Sequence, residues 1–394
     1  LRTTYRFLRA HVLQRLVPKS PLAFDPDKPL EVVGYFSMAA GVGESARLCV
    51  GALSDSGLGI QSADVSTRSG ESSLVEWAPS RVPATRPGTR IWHLNPPMLP
   101  RAILRKGIGN FPRAFNIGYW AWELEEVPAE WRNAMRYMNA IFVPSEFTKR
   151  AIQPFTSAPV IIVPHPVTEK PAAEGVRRKF AIEEDAFLVS FIFSAGSSIN
   201  RKNPQAVIKA FQIFSAEYPN AFLLMKTSGD IGKDEGLQAL ARSVEGSSRI
   251  RIVTDNLTSS EINGLIRDSD AYLSLHRSEG FGLTVAEAIM QRTPVVSTNW
   301  SGTVDFCDSE NTWLVESPLV PVADEHPEFA RLKNAVWADP SPEQAAAHLR
   351  QIFLAPEAAR QKAENARTFL LSYLAAHTYE KAFSALAMTR SQPS

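Results

Sequence analysis

The chain has 394 residues, room for two or three domains with sizeable cores. Forty-two basic residues against 41 acidic ones leave a net charge of +1, which argues against a dedicated nucleic-acid binder, and 44% hydrophobic content excludes bulk disorder. No apolar run approaches the roughly 18 residues of a membrane span, and the two cysteines, Cys49 and Cys307, form neither a metal spacing nor a disulfide framework, which fits a reducing cytoplasm.

In chain order, the first feature is a charge asymmetry. Arg2, Arg6, Arg9, Arg15 and Lys19 precede the first acid, Asp25, and Tyr5, Leu8, Val12 and Leu16 recur between them at helical spacing. Two readings stay open: a basic amphipathic helix in peripheral contact with an anionic membrane, or a solvated first helix. β-rich runs follow at Leu30–Ser37, Gly59–Val65, Thr89–Asn95, Ala114–Trp120, Ala140–Pro144 and Val160–Pro164, with helical patterns such as Glu44–Leu53 and Glu130–Asn139 between them. A proline-studded linker, 163–175, leads to a second set at Phe187–Ser194, Ala221–Lys226, Ile250–Thr254, Ala271–Leu275 and Pro294–Thr298, then a helix-rich tail from Pro342 to Leu386. Strands with little alternation, several followed by amphipathic helices, predict parallel sheets covered on both faces. The fold class is therefore α/β, with two Rossmann-like, doubly wound parallel-sheet domains facing across a cleft. Such sheets bind ligands beyond the carboxyl ends of their strands, where helix N-termini offer N–H groups.

The motifs fall on those strand-to-helix turns. Gly41-Val-Gly-Glu-Ser-Ala46 fits the dinucleotide fingerprint GxGxxA, with Asp64 about 20 residues on. Against that reading, Glu44 enters the helix N-terminus and competes with a pyrophosphate there. His93 ends the third β-rich run, where a lone histidine is more often structural. Gly118-Tyr-Trp-Ala-Trp-Glu-Leu-Glu125 is rich in aromatics for a loop: Trp120 and Trp122 can stack on a sugar ring with Glu123 binding hydroxyls, or pack as a wedge against the domain. Ser145 reads as a helix N-cap.

In the second half, Ser198-Ile-Asn-Arg-Lys-Asn-Pro204 follows a strand and precedes a helix. A cation there neutralises a departing diphosphate by charge-assisted hydrogen bonds, unless Arg201 and Lys202 simply face water. In Ser278-Glu-Gly-Phe-Gly-Leu-Thr-Val-Ala-Glu287, Gly280 and Gly282 let the backbone approach a ligand, and Glu279 and Glu287 suit vicinal hydroxyls because a carboxylate accepts two hydrogen bonds at once. Eight helical residues separate those acids by about 12 Å. That exceeds the roughly 5 to 9.5 Å of a glycosidase pair and favours two binding roles. Asp25-Pro-Asp27 and Asp268-Ser-Asp270 resemble DxD metal signatures but are not placed for a nucleotide, and the histidines form no metal pattern.

Glu-x7-Glu in the setting EGFGLTVAEA, followed by PVVST, resembles the retaining glycosyltransferases of family 4 (glycosyl transferases group 1, GT-B fold). The glycine loop, the His93 strand, the linker and the Arg201-Lys202-Asn203 run occur in the order that family shows. The resemblance implies His93, Lys202 and Glu279 as catalytic residues and a donor site built from Gly41, Gly43, Arg201, Gly280, Phe281, Gly282, Leu283 and Glu287. Trp120, Trp122 and Glu123 are the candidate acceptor contacts. It implies domains at 1–168 and 169–368, and a helix within 369–394 that returns to the first domain. It also implies a nucleotide-sugar substrate (GDP-mannose favoured, a UDP-sugar possible), a glycan or lipid-linked glycan acceptor in surface polysaccharide synthesis, and no metal or cofactor. The chain departs from the family at Gly196, where Ser197 and Ser198 follow and the usual second cation is missing. Arg201 is the candidate substitute. The rival functions are an NAD(P)-dependent dehydrogenase using the GxGxxA turn, a sugar phosphorylase of the same fold, and a non-catalytic sugar-binding protein.

Overall fold

Runs of β-branched and aromatic residues whose side chains are buried on both faces can only be interior strands, and β1 (Leu30–Gly34), β3 (Thr89–His93) and β4 (Phe115–Tyr119) are buried at every position. With β2 (Ile60–Asp64), β5 (Ala140–Val143) and β6 (Val160–Ile162) they form an all-parallel sheet of order β2-β1-β3-β4-β5-β6. The computed structural model describes residues 17–38, 40–54, 59–66, 75–77, 86–324 and 326–388. The basic segment at Arg2, Arg6, Arg9 and Arg15 lies outside them. Among the described residues, no helix is long and apolar enough to cross a membrane.

The chain divides into two units, one reaching Pro166 and taking in Leu374 onward, the other Val167–Tyr373. In the first, helices α1 (Gly41–Ser54), α2 (Leu99–Lys106), α3 (Ala129–Met135) and α4 (Glu146–Ile152) follow strands. The Ser145 hydroxyl caps α4 by accepting from the Thr148 N–H at 3.2 Å. The second unit opens with the short α5 (Val176–Lys179). Its strands are β7 (Phe187–Ser194), β8 (Ala221–Ser228), β9 (Ile250–Val253), β10 (Ala271–Ser274), β11 (Val295–Thr298) and β12 (Trp313–Val315). They make a second parallel sheet, β12-β11-β10-β7-β8-β9. Its helices are α6 (Ile199–Lys202), α7 (Pro204–Glu217), α8 (Glu235–Ser243), α9 (Ser259–Arg267), α10 (Leu283–Met290), α11 (Pro342–Leu354) and most of α12 (Pro356–Ala376). A two-stranded antiparallel hairpin, β13 (Leu319–Pro321) with β14 (Val336–Ala338), sits apart from the sheet.

The last helix, α13 (Tyr379–Met388), belongs to the first unit. Tyr379, Ala382, Phe383 and Leu386 join the core formed by Val32, Ile91, Ile117 and Phe142, and Phe383 stacks on Phe24 at 5.4 Å. This is a helix with one apolar stripe, and the first sheet supplies the surface that buries it.

Strand order decides where each unit can bind. From β1 the chain steps one way to β2 and the other way to β3, and from β7 one way to β8 and the other to β10. At such reversals the outgoing turns diverge and leave a crevice beyond the strand ends. The first is bordered by the turn that leads from β1 into α1 and by His93 at the end of β3. The second is bordered by the Ser198–Lys202 turn and the Glu279–Gly282 turn.

Candidate active site

In the second unit, the turn after β7 is short and strained. Ser198 and Asn203 both take positive φ, +60° and +55°, and bracket the single turn α6 that carries both cations. The Ser198 hydroxyl accepts the Arg201 N–H at 3.1 Å, and the Asn203 amide donates to the Leu275 carbonyl at 3.0 Å, tying this turn to the end of β10. The Arg201 guanidinium is buried and donates to the carbonyls of Ser278 (2.7 Å) and Ser197 (3.1 Å) and to the Ser197 hydroxyl (2.8 Å).

Both cations meet Glu279. Lys202 Nζ donates to Glu279 Oε1, and Arg201 Nη1 lies 3.3 Å from Oε2. Burial pushes this carboxyl upward, yet Lys202 and Arg201, with His276 beside them, outweigh burial and hold it at about 2. His276 is itself buried, and desolvation lowers it to about 4 although Glu279 pulls the other way. Its Nδ1 lies 3.1 Å from the Ser274 hydroxyl. The site is thus an ionised acid between two cations, with a neutral imidazole behind it.

The turn after β10 is held from below by the turn after β11. The Glu279 N–H donates to Ser301 Oγ at 2.8 Å, and the Gly302 N–H to the Glu279 carbonyl at 2.9 Å. Two positions here need glycine: a Cβ on Gly302 would stand 2.4 Å from the Gly280 carbonyl oxygen, and Gly282 is held by its backbone as well. Its φ is +90°, and a Cβ would stand 2.3 Å from the Thr303 methyl. It caps α10, whose first N–H groups, from Leu283 onward, have no partner within the helix. Phe281 buries its ring against Phe306 at 4.9 Å, so what it offers a ligand is backbone. Glu287, one helical stretch further, pairs with Lys170 at 3.6 Å. Lys170 is anchored in turn by Gln291, which donates to its carbonyl at 3.0 Å.

The first unit places its candidates differently. Gly41 and Gly43 lie inside α1 rather than in a loop before it. A Cβ on Gly43 would meet the Met38 carbonyl oxygen at 2.3 Å and that of Tyr35 at 2.7 Å, so its glycine is required by the approach of helix to turn. Glu44 pairs with Arg47 at 2.8 Å, and Arg47 also holds the carbonyls of Phe36 (2.6 Å) and Met38 (3.0 Å). Asp64 accepts from Ser37 and from the Ser66 N–H. His93 ends β3 and is buried, stacked on Tyr119 at 4.1 Å. Its Nδ1 is 3.1 Å from the Ser45 hydroxyl and its Nε2 3.2 Å from the Tyr379 hydroxyl on α13. His165 shares Ser45 (3.2 Å) and meets the Tyr119 hydroxyl (3.1 Å). Burial pulls His93 well below its ordinary range, and lowers His165 to about 4 against the pull of Glu44.

The aromatic loop is a correction to the sequence reading. Trp120 and Trp122 are fully buried, and Trp131 packs against both, at 6.0 and 4.7 Å. Trp122 Nε1 donates to the Glu126 carbonyl at 3.1 Å, and Thr148 Oγ1 to the Trp122 carbonyl at 2.8 Å. Their faces are taken up by the core, which leaves no room for a stacked sugar; Glu123 beside them is half-buried. Sequence reasoning also missed His276, Lys170, Ser45, His165 and Tyr379. His276 stands three residues before Glu279 and was findable from its place at the end of β10. Tyr379 and Lys170 were not, because only tertiary packing brings them to His93 and Glu287.

The sheet order, the reversal points and the two turns agree with a nucleotide-type site, and the comparisons agree with the sheets. Residues 177–369 match the model of the family Glycosyl transferases group 1. No curated protein sequence matches the chain. Among solved structures, Anabaena Alr3699/HepE in complex with UDP and glucose is 10% identical, with 92% of this chain and 99% of that one covered at a TM-score of 0.62. Sucrose-phosphate synthase from Thermosynechococcus elongatus is 12% identical, with 92% and 98% covered and a TM-score of 0.63. The pneumococcal O-GlcNAc transferase GtfA, in complex with UDP and GlcNAc, is 16% identical over 77% of this chain at 0.52, and the match spans only 57% of GtfA. The fold is GT-B: two Rossmann-like parallel-sheet units, as in these glycosyltransferases.

Proposed function

We propose that the protein is a retaining glycosyltransferase that moves a sugar from a nucleoside diphosphate donor to a hydroxyl of a glycan or lipid-linked glycan in surface polysaccharide synthesis. The observation that carries this reading is the convergence, at the β7/β10 reversal, of Arg201 and Lys202, the Glu279 carboxylate and the N-terminus of α10. An anion with hydroxyls attached fits that set. The cations and the helix N-terminus take the diphosphate, Glu279 takes sugar hydroxyls, and Glu287 takes the ribose.

In this reading the donor's diphosphate replaces Glu279 as the partner of Lys202, which frees the carboxylate for the sugar. The bond from the anomeric carbon to phosphate breaks as the acceptor oxygen bonds to the same face. The departing phosphate oxygen takes the acceptor's proton, and Lys202, Arg201 and the α10 N–H groups stabilise its charge. Arg201 supplies the second cation that Gly196 does not. His93 is assigned to the donor sugar by resemblance, and its bonds to Ser45 and Tyr379 fix its ring.

The test is a panel of nucleotide sugars with and without glycan acceptors, read as nucleoside diphosphate release and as the anomeric configuration of the product by NMR. GDP-mannose and UDP-glucose, the latter bound in a HepE structure, come first. Release of nucleoside diphosphate with an α-linked product from an α-linked donor is expected. Binding and oxidation of a reduced nicotinamide cofactor, or phosphate-dependent release of sugar phosphate from a glycan, overturns the assignment.

A further inference from the structure

The hairpin β13–β14 and the segment joining its strands have no place in the sheet, yet they reach the cation-bearing turn at both ends. At the front, Asp324 accepts a hydrogen bond from the Ser198 hydroxyl, the same hydroxyl that accepts the Arg201 N–H. The other Asp324 oxygen accepts the His326 N–H at 2.8 Å, so the carboxylate is held by its own loop before it meets Ser198. At the back, the Ala338 N–H of β14 donates to the Arg277 carbonyl at 2.9 Å, and the Arg277 N–H donates to the Arg201 carbonyl at 2.8 Å. The Arg277 guanidinium stacks over the buried Trp337 ring at 5.3 Å and pairs with Asp339 at 3.0 Å. The hairpin thus grips α6 through Ser198 and through Arg201.

That grip has a task. Ser198 holds φ +60° with ψ +105°, a conformation that a serine adopts only when its surroundings over-determine it. The two hydrogen bonds at its hydroxyl supply that constraint, and they aim the turn that presents Arg201 and Lys202. We propose that Asp324 is a positioning residue for these two cations and that the β13–β14 segment sets the protein's affinity for the donor's diphosphate. The proposal rests on the reading that this turn holds a nucleoside diphosphate.

The measurement is isothermal titration of the full chain with UDP and UMP, and with GDP and GMP, for the wild type, Asp324→Ala, Asp324→Asn, Ser198→Gly and Lys202→Ala. The ratio of diphosphate to monophosphate affinity is the readout, because general destabilisation lowers the bound fraction without moving that ratio. Loss of the Ser198 contact in Asp324→Ala is expected to weaken the diphosphate about tenfold, the size of one hydrogen bond to a charged group, while the monophosphate is nearly unchanged. Asp324→Asn keeps an acceptor and removes the charge, so its ratio should return close to that of the wild type. Ser198→Gly, which tolerates the backbone but removes the hydroxyl, should behave like Asp324→Ala, and it serves if that variant does not fold. If Lys202→Ala lowers the ratio and neither Asp324→Ala nor Ser198→Gly does, the positioning role is wrong and the site stands. If the wild type binds neither diphosphate, both fall together.

Discussion

Replacing Lys202 by alanine tests the heart of the site, because the same ammonium serves the resting protein and the reaction. Glu279 is largely buried, its side chain 13% exposed, and its carboxyl falls from the ordinary 4.5 to about 2. That drop is worth about 3 kcal/mol at neutral pH. Burial opposes it, Lys202 is the largest stabilising neighbour and Arg201 the next. Lys202→Ala should therefore cost about 1–2 kcal/mol of stability at pH 7, with Arg201 retaining the rest. The folded carboxyl titrates below the unfolded one, so its contribution is complete above pH 4.5 and vanishes as pH falls through about 2. The unfolded carboxyl is the same in both proteins, so the gap between wild type and variant, from urea melts at pH 7, 4 and 2, should hold down to about pH 4 and close as pH falls towards about 2. In a Glu279→Gln background the lysine substitution should cost little. In turnover, loss of a cation aimed at the leaving diphosphate should reduce the rate by about 10²–10³. A gap as wide at about pH 2 as at pH 7 would refute the pairing, and an alanine variant with full turnover would refute the catalytic role.

Gly282→Ala places a Cβ against the Thr303 methyl at φ +90°, so a loss of about 2–4 kcal/mol is expected by thermal melting, partly recovered by adding Thr303→Ser. The clash can be relieved in that pair but the backbone strain cannot. Trp122→Ala should cost about 3–5 kcal/mol as a core truncation. Trp122→Phe should leave the KM for any working acceptor unchanged, and a selective rise in that KM would restore the stacking role. His165 stays neutral in the fold down to about pH 4, whereas the unfolded chain protonates near 6.5, so stability is complete above pH 6.5 and is lost as pH falls toward 4, by up to about 3 kcal/mol. His165→Gln should flatten that slope in urea melts.

The local chemistry of the site was legible in the residues. Lys202, Glu279, Gly282 and Glu287 lie within short strand–turn–helix motifs, where spacing along the chain already implies which groups share a turn. The strands were legible for the same reason, since β7 is a near-continuous apolar run and β1, β3 and β4 are short β-branched and aromatic segments between turn residues. β12 and the β13–β14 hairpin were not, because their three-residue runs are broken up by polar and proline residues, whereas the equally short β6 lies in the apolar run 160–163. The tryptophan loop shows the limit of reading type without burial: an indole suits a sugar and a core equally, and Trp131, nine residues beyond Trp122, decides between them.

By itself, then, the sequence determined the α/β class and the two halves. It also determined the turns that carry charge, because hydrophobic periodicity and glycine–carboxylate spacing are local properties. Only the tertiary structure decided that Arg201 is buried against Glu279, that Lys170 pairs with Glu287, that Tyr379 reaches His93 and that Asp324 grips Ser198. Those pairings join residues from 78 (201 to 279) to 286 positions apart. No pattern along a chain encodes them, because they arise where strand order and the burial of apolar faces bring distant turns together.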